Sequence, residues 1–261
     1  SFTDGTNSGG GNTSIMTDYL TRLSAEGGSL TAPEIVALNL LTQNADIGEF
    51  DRLWIHGLSN QIAARISLVN SLTADLITEV NSPTWTAGEG YTGNGVNSFL
   101  ETNYNSAVDG VKYTQNSNAN GFYGLTASTG IGQMIIGNGD GFGFNFNNPN
   151  FTNGVDSIIS VNSNGALFGT SSSTTSLNIN YRTNSTHIKR SRLGVLIDNV
   201  ADISNPLVNE TFYILGRNQV NSLLNPSDVQ LSLSFFSSGA IDQAQFYADV
   251  QTLGTTLGWA V

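Results

Sequence analysis

Between residues 53 and 237 no apolar run exceeds four residues, and most runs are closed by Asn, Ser, Pro or Gly. Trp54, Ile62, Ile66, Leu68, Leu76 and Ile77 all fall in such fragments. A stretch written this way does not bury a long helix. Short strands at even spacing, separated by turn residues, predict a β-sandwich or barrel. Strands are expected near 155–161, 165–169, 176–182, 193–200, 210–217 and 229–237. Helical patterns do not alternate with them, so a parallel βαβ sheet is not expected.

The period changes at both ends. In "SIMTDYLTRLSAEGG", Ile15, Tyr19, Leu20 and Leu23 lie on one helical stripe that Gly27-Gly28 stops. "TAPEIVALNLLTQNAD" opens with a capping box, Thr31 and Glu34, and has Pro33 in the first turn, where a missing N–H costs nothing. At the other end Phe246, Val250, Leu253 and Leu257 recur at helical spacing behind Asp242. The chain therefore divides into a flexible arm or linker at 1–13, a helical hairpin at 14–52, and a sandwich with a terminal helix at 53–261.

"MIIGNGDGFGFNFNN", residues 134–148, poses a choice between a phosphate loop, a calcium loop and a turn. A dinucleotide loop needs a third glycine at the right spacing and a helix behind it. A calcium loop needs several carboxylates, and only Asp140 is present. An Asn-Gly step between apolar runs is a hairpin signal. The reading is a hairpin turning at Asn138–Gly141, with Phe142, Phe144 and Phe146 on one face.

Composition removes several classes of function. Charged residues make up 11% of the chain, against roughly 25% in an ordinary domain. Asn (31) and Gly (29), with Ser and Thr, fill the gap, a composition associated with extracellular and virion β-proteins. The net charge is -11 with two lysines, which argues against nucleic acid and anionic membrane as partners. There is no Cys, and no run of 18 apolar residues for membrane insertion. Ser1 is not an initiator methionine, so a processed or trimmed chain is expected.

The chemistry-bearing residues are sparse. A glycosidase needs two carboxylates facing one cleft. The nearest case, Glu49 and Asp51 in "GEFDR", follows a helical segment, and Glu79, Glu89 and Glu101 are scattered. Nucleophilic catalysis needs a base beside a Ser or Cys. His56 follows two large apolar residues and His187 sits among positive charges, so neither serves, and two isolated histidines do not make a zinc site. No catalytic residue, metal or cofactor is expected, and the chain is read as not an enzyme. The basic "HIKRSR" puts Lys189 on one face and Arg190 and Arg192 on the other. It reads as a charged strand protecting a sheet edge, as a contact with an acidic subunit, or as a site for an anionic sugar. Trp85 and Tyr91 in "SPTWTAGEGYTGNG", with Tyr104 and Tyr113, are candidates to stack a sugar; the alternative is that they pack at sandwich edges.

Three segments carry a resemblance: "YLTRLSAEGGSLTAPEIVALNLLTQN" running into "FDRLWIHG", then "YTGNGVNSFLETNYN", and the ending "FYILGRNQVNSLLNPSDVQLSLSFFSSGAIDQAQFYADVQTLGTTLG". Together, over about residues 15 to 258, they resemble tailed-phage and prophage proteins with a concanavalin A-like (laminin G-like) jelly roll. The resemblance implies an antiparallel jelly-roll β-sandwich with a front helical hairpin and a C-terminal helix. It further implies a non-enzymatic fibre, appendage or decoration protein on the virion surface, contacting other virion proteins, copies of itself as a homo-oligomer such as a trimer, and host-surface glycans. The alternatives are a secreted bacterial glycan-binding module, which would be extracellular, and a polysaccharide depolymerase.

Overall fold

The structure, a computed structural model, describes residues 12–130, 132–139, 144–152, 156–163, 166–168 and 173–259. In chain order its elements are α1 (Ser14–Ala25), α2 (Ala32–Leu41), β1 (Phe50–Ile55), α3 (Gln61–Arg65), β2 (Thr78–Val80), β3 (Thr84–Thr86), β4 (Gly90–Thr92), β5 (Phe99–Glu101), α4 (Ser106–Asp109), β6 (Asn118–Gly124), β7 (Ile136–Gly139), β8 (Phe144–Thr152), β9 (Asp156–Ser163), β10 (Ala166–Phe168), β11 (Ser176–Arg182), β12 (His187–Arg192), β13 (Val195–Ala201), β14 (Tyr213–Ile214), β15 (Arg217–Gln219), β16 (Ser222–Leu224), β17 (Gln230–Ser237) and α5 (Gln243–Leu257). The strands form two sheets. The first runs β13-β12-β11-β6-β17-β4-β3, with β1 sharing the edge of β17 beside β4. The second runs β10-β9-β8-β7-β14-β5-β2, with β15 and β16 attached. Pairing is antiparallel except for β15 on β7. The fold is the mainly antiparallel β-sandwich that the sequence predicts.

The inner strands of the first sheet are buried on both faces. Toward the second sheet it presents Trp54, Tyr91, Phe122, Leu231 and Phe236, which meet Leu100, Ile136, Phe212 and Ile214. Toward the helices it presents Leu53, Ile55, Tyr123, Leu177, Ile179, Leu233 and Phe235, covered by Met16, Tyr19, Leu38, Phe246 and Leu253. A register shift between Leu231 and Leu233 moves β17 from one face to the other. Gly121 is required where it stands, because a Cβ there would lie 2.5 Å from the Phe235 ring.

The two front helices make only a loose hairpin, tied at Thr13. Thr13 caps α1, with its hydroxyl accepting from the Met16 N–H at 3.2 Å, and its own N–H donates to Asn39 at 3.0 Å. Position 13 is therefore anchored and does not belong to a free arm. The helix that α2 packs on is α5. The boundary at 52 also moves, since β1 begins at Phe50 and is paired from there. Residues 61–65, expected among the strands, are helical because Asn60 caps them, its side chain accepting from the Ala63 N–H at 3.1 Å. Ile66, Leu68 and Leu76 are in no strand.

Glu34 ties α2 to the chain after β1. Its carboxylate accepts from the Thr31 N–H at 2.7 Å, as a capping box requires, and from the Ser59 N–H at 2.6 Å and the Ser59 hydroxyl at 2.9 Å. Burial alone would raise its pKa, but these hydrogen bonds together hold it below the ordinary value. Glu34→Gln is expected to cost about 1–2 kcal/mol in urea unfolding at neutral pH, because an amide nitrogen replaces one of the accepting oxygens.

The hairpin reading of 134–148 holds in its strands and shifts in its turn. β7 and β8 pair antiparallel, with Gly137 opposite Phe146 and Gly139 opposite Phe144. Asn138 and Gly139 are ladder residues, and Asn138 is fully buried. Residues 140–143, including Phe142, and the side chains of Phe144 and Phe146 lie outside the described residues.

Candidate functional site

The structure separates the four aromatic candidates. Tyr91, Tyr104 and Tyr113 have no exposed surface. Tyr104 stacks on Phe236 with ring centroids 5.1 Å apart, and Tyr113 meets Phe212 and Phe236 edge-on. A buried ring cannot stack on a sugar, so these three belong to the inter-sheet core. They sit there because their hydroxyls find partners in the interior, as Tyr104 does with Asp51 at 3.0 Å.

Trp85 is different. It lies half-buried on β3, the edge strand of the first sheet, directly opposite Tyr91 on β4. The short β3–β4 hairpin is pinned from below. Gly88 (φ +79°) donates to the Leu58 carbonyl at 3.2 Å, and the Trp85 indole N–H donates to the His56 carbonyl at 3.3 Å. Gly90 (φ +108°) approaches the Leu231 carbonyl so closely that a Cβ would lie 2.0 Å from it.

Beneath Trp85 the Tyr91 hydroxyl donates to Glu79. The same Glu79 oxygen accepts from Gln61 Nε2 at 2.9 Å and lies 3.9 Å from Arg65 Nε. Burial, reinforced by Glu79, keeps Tyr91 protonated by pushing its pKa well above the ordinary tyrosine value. An aromatic edge is thus linked through Tyr91 to an amide, a carboxylate and a guanidinium, all at least partly exposed. This assembly can stack an apolar ring face and exchange hydrogen bonds with hydroxyls. It offers a single carboxylate, already bonded to Tyr91 and Gln61, and so lacks a glycosidase pair. Gln61, Arg65 and Glu79 escape sequence reading because 18 residues separate Gln61 from Glu79 and no local pattern joins them.

The "GEFDR" carboxylates do not share a cleft. Glu49 accepts from the Ser238 hydroxyl at 2.6 Å and faces Lys112. Asp51, expected just after a helical segment, is 1% exposed within β1 and accepts from Tyr104 and three backbone N–H groups. His56 is fully buried between the Ala64 carbonyl at 3.1 Å and Ser234 Oγ at 2.8 Å. His187 is half-exposed, 2.9 Å from the Thr186 hydroxyl. Among the described residues no group of three or more His, Asp and Glu could hold a metal. No helix among them is long and apolar enough to cross a membrane.

The basic strand is not an edge. β12 is covered by β13, and Arg190 is buried against Asp198 at 2.6 Å. Arg192 donates to Ser176 Oγ at 3.3 Å. Lys189, on the opposite face as expected, lies 5.7 Å over the Tyr181 ring. Burial lowers the Arg190 pKa, and Asp198 opposes that shift. Arg190 is therefore an internal ion-pair residue and is closed to another subunit.

No protein-family model matches the chain. No curated protein matches it either. Among solved structures it is similar to the binding domain of botulinum neurotoxin serotype D, at 10% identity and TM-score 0.51, over 81% of this chain and 52% of that one. It is also similar to a mutant of Trypanosoma rangeli sialidase displaying trans-sialidase activity, at 12% identity and TM-score 0.51, over 92% of this chain and 39% of that one. The chain thus spans about half the length, or less, of these structures. At such identities the likeness establishes a shared β-sandwich fold.

Proposed function

We propose that the chain is a non-enzymatic glycan-binding β-sandwich module of a tailed-phage virion, engaging host-surface glycans at the Trp85 edge. The observation that carries the glycan reading is the half-exposed indole of Trp85 set beside the Tyr91–Glu79–Gln61–Arg65 network. Sugar recognition uses this combination: an aromatic face for the C–H side of a pyranose, and fixed donors and acceptors for its hydroxyls. The fold supports it, because the similar solved structures include receptor-binding domains of botulinum neurotoxins. The virion setting rests on the sequence resemblance and on the Lys-poor, amide-rich composition.

The other two tryptophans, Trp54 and Trp259, are buried away from any ligand, so a change in emission on adding ligand reports on Trp85. Titration with host-surface polysaccharides is expected to perturb that emission. In calorimetric titration, which needs no indole as reporter, Trp85→Ala should weaken binding roughly tenfold or more, Trp85→Phe should retain part of it, and the melting temperature of Trp85→Phe should stay near that of the parent. Binding equal to wild type in Trp85→Ala would move the site elsewhere. Binding of a defined oligosaccharide by a protein found on no particle would favour a secreted module.

A further inference from the structure

The first sheet ends on a strand with few of the usual guards. On β13, Val195, Leu196 and Ile197 are 66%, 51% and 45% exposed, and Leu193 just before them is 41% exposed. Edge strands are commonly protected by Lys, by Pro or by a covering helix. Here the positive residues sit one strand inside, on β12, and the one charge of β13, Asp198, is taken up by Arg190. A bulge leaves Ile197 without a cross-strand partner. An exposed apolar run this continuous marks a docking surface.

A complementary surface lies next to it. Gly194, at the tip of the β12–β13 hairpin, abuts α5 so closely that a Cβ would lie 2.9 Å from Ala244 Cα. Beyond, α2 and α5 border a groove lined by Leu40, Asn44, Asp46, Asp242, Gln245 and Asp249. Leu40 is 44% exposed, and Val36, one turn back on α2, is 53% exposed. Among the described residues none of the three groove carboxylates forms a salt bridge. The hairpin, by contrast, carries Lys189 and Arg192, which among the described residues form no salt bridge, beside the internal Arg190–Asp198 pair. An apolar ridge with positive charge thus neighbours an apolar groove with negative charge.

The geometry points to a second copy of this chain as the occupant: each β12–β13 hairpin docks on the α2–α5 groove of its partner across a two-fold axis. Adjacent complementary patches are what an isologous interface needs, since each is used once by each copy. Elsewhere two chains of net charge -11 repel. β3 is the opposite end of the first sheet from β13, so both Trp85 edges stay open in the dimer. The inference does not depend on the glycan reading, because its test contains no sugar.

Sedimentation velocity of the full chain from low to high micromolar concentration is expected to show a monomer converting to a dimer. Leu196→Glu on the ridge and Leu40→Glu in the groove should each weaken association roughly tenfold or more, while Val108→Glu, at a more exposed apolar site elsewhere, should not. Both tested side chains are exposed, so melting temperatures should hold and separate loss of contact from loss of fold. A monomer at every concentration, a mass other than the dimer, or a dimer that survives Leu196→Glu overturns the proposal.

Discussion

Asp51→Ala is expected to lower the unfolding free energy by about 4 kcal/mol, or roughly 10 °C in Tm. The carboxylate is 1% exposed and accepts from the Tyr104 hydroxyl at 3.0 Å and from the backbone N–H groups of Val111, Lys112 and Tyr113 at 3.1, 3.0 and 2.9 Å. Removing it strands donors where the buried ones cannot all reach water, and each such loss costs about 1–3 kcal/mol. The same contacts fix the loop after α4, which places Tyr113 against Phe212 and Phe236. Tyr104 is held from its other side by Arg52, 5.0 Å above its ring. Asp51→Asn keeps the volume but turns an amide nitrogen toward donors, so it should recover less than half of the loss. Urea unfolding with an unchanged m-value would locate the effect in the native state. A loss under 1 kcal/mol for Asp51→Ala would mean that the loop holds without its carboxylate.

Asp51 also shows where sequence reading stops. "FDRLW" places a charge in a strand but does not say which way the strand faces. Three of its four donors are backbone groups about 60 residues away, and a backbone N–H leaves no mark on composition. The period-2 pattern of "SLNINYR" gives the strand at 176–182 to the residue, yet polar and apolar trade the places that a two-layer sandwich would assign them. Leu177, Ile179 and Tyr181 pack under the helices, and Asn178, Asn180 and Arg182 are buried on the other side. Helical stripes at both ends of the chain do announce that something must be covered by helices. The pairing of α2 with α5 is what tells which sheet, and it spans some 200 residues. Of the site, Trp85 was legible as an aromatic in a polar stretch. Tyr91 was legible only as its sequence neighbour: the ring proves buried, and its hydroxyl carries the link to Glu79. For the basic strand, alternation correctly separated Lys189 from Arg190 and Arg192, while the pairing of the expected next strand, β13, along its outer side was the piece that edge logic lacked.

Acidification from neutral pH is expected to cost roughly 3 kcal/mol through His56 alone, with about 2 kcal/mol of that gone by pH 5. The Ala64 carbonyl can only accept, so Nδ1 carries the proton and Nε2 accepts from the Ser234 hydroxyl. The ring is fully buried and meets Tyr91 edge-on at 5.6 Å. Burial lowers its pKa from 6.5 to about 4, against the Ala64 hydrogen bond, which pulls the other way. At pH 7 both folded and unfolded chains hold a mostly neutral imidazole, and the residue contributes little pH dependence. Below 6.5 the unfolded chain binds a proton that the folded one refuses until about 4, so stability falls across that window. Glu34, held below its ordinary value of 4.5, loses its contribution only as pH falls through and below that value, so it adds no slope between pH 6.5 and 5. His56→Phe should lower stability at pH 7, because Ala64 and Ser234 lose their partner, and should flatten the slope between pH 6.5 and 5. The slope is the decisive readout: if wild type and His56→Phe lose stability in parallel over that interval, His56 is not the group that resists protonation.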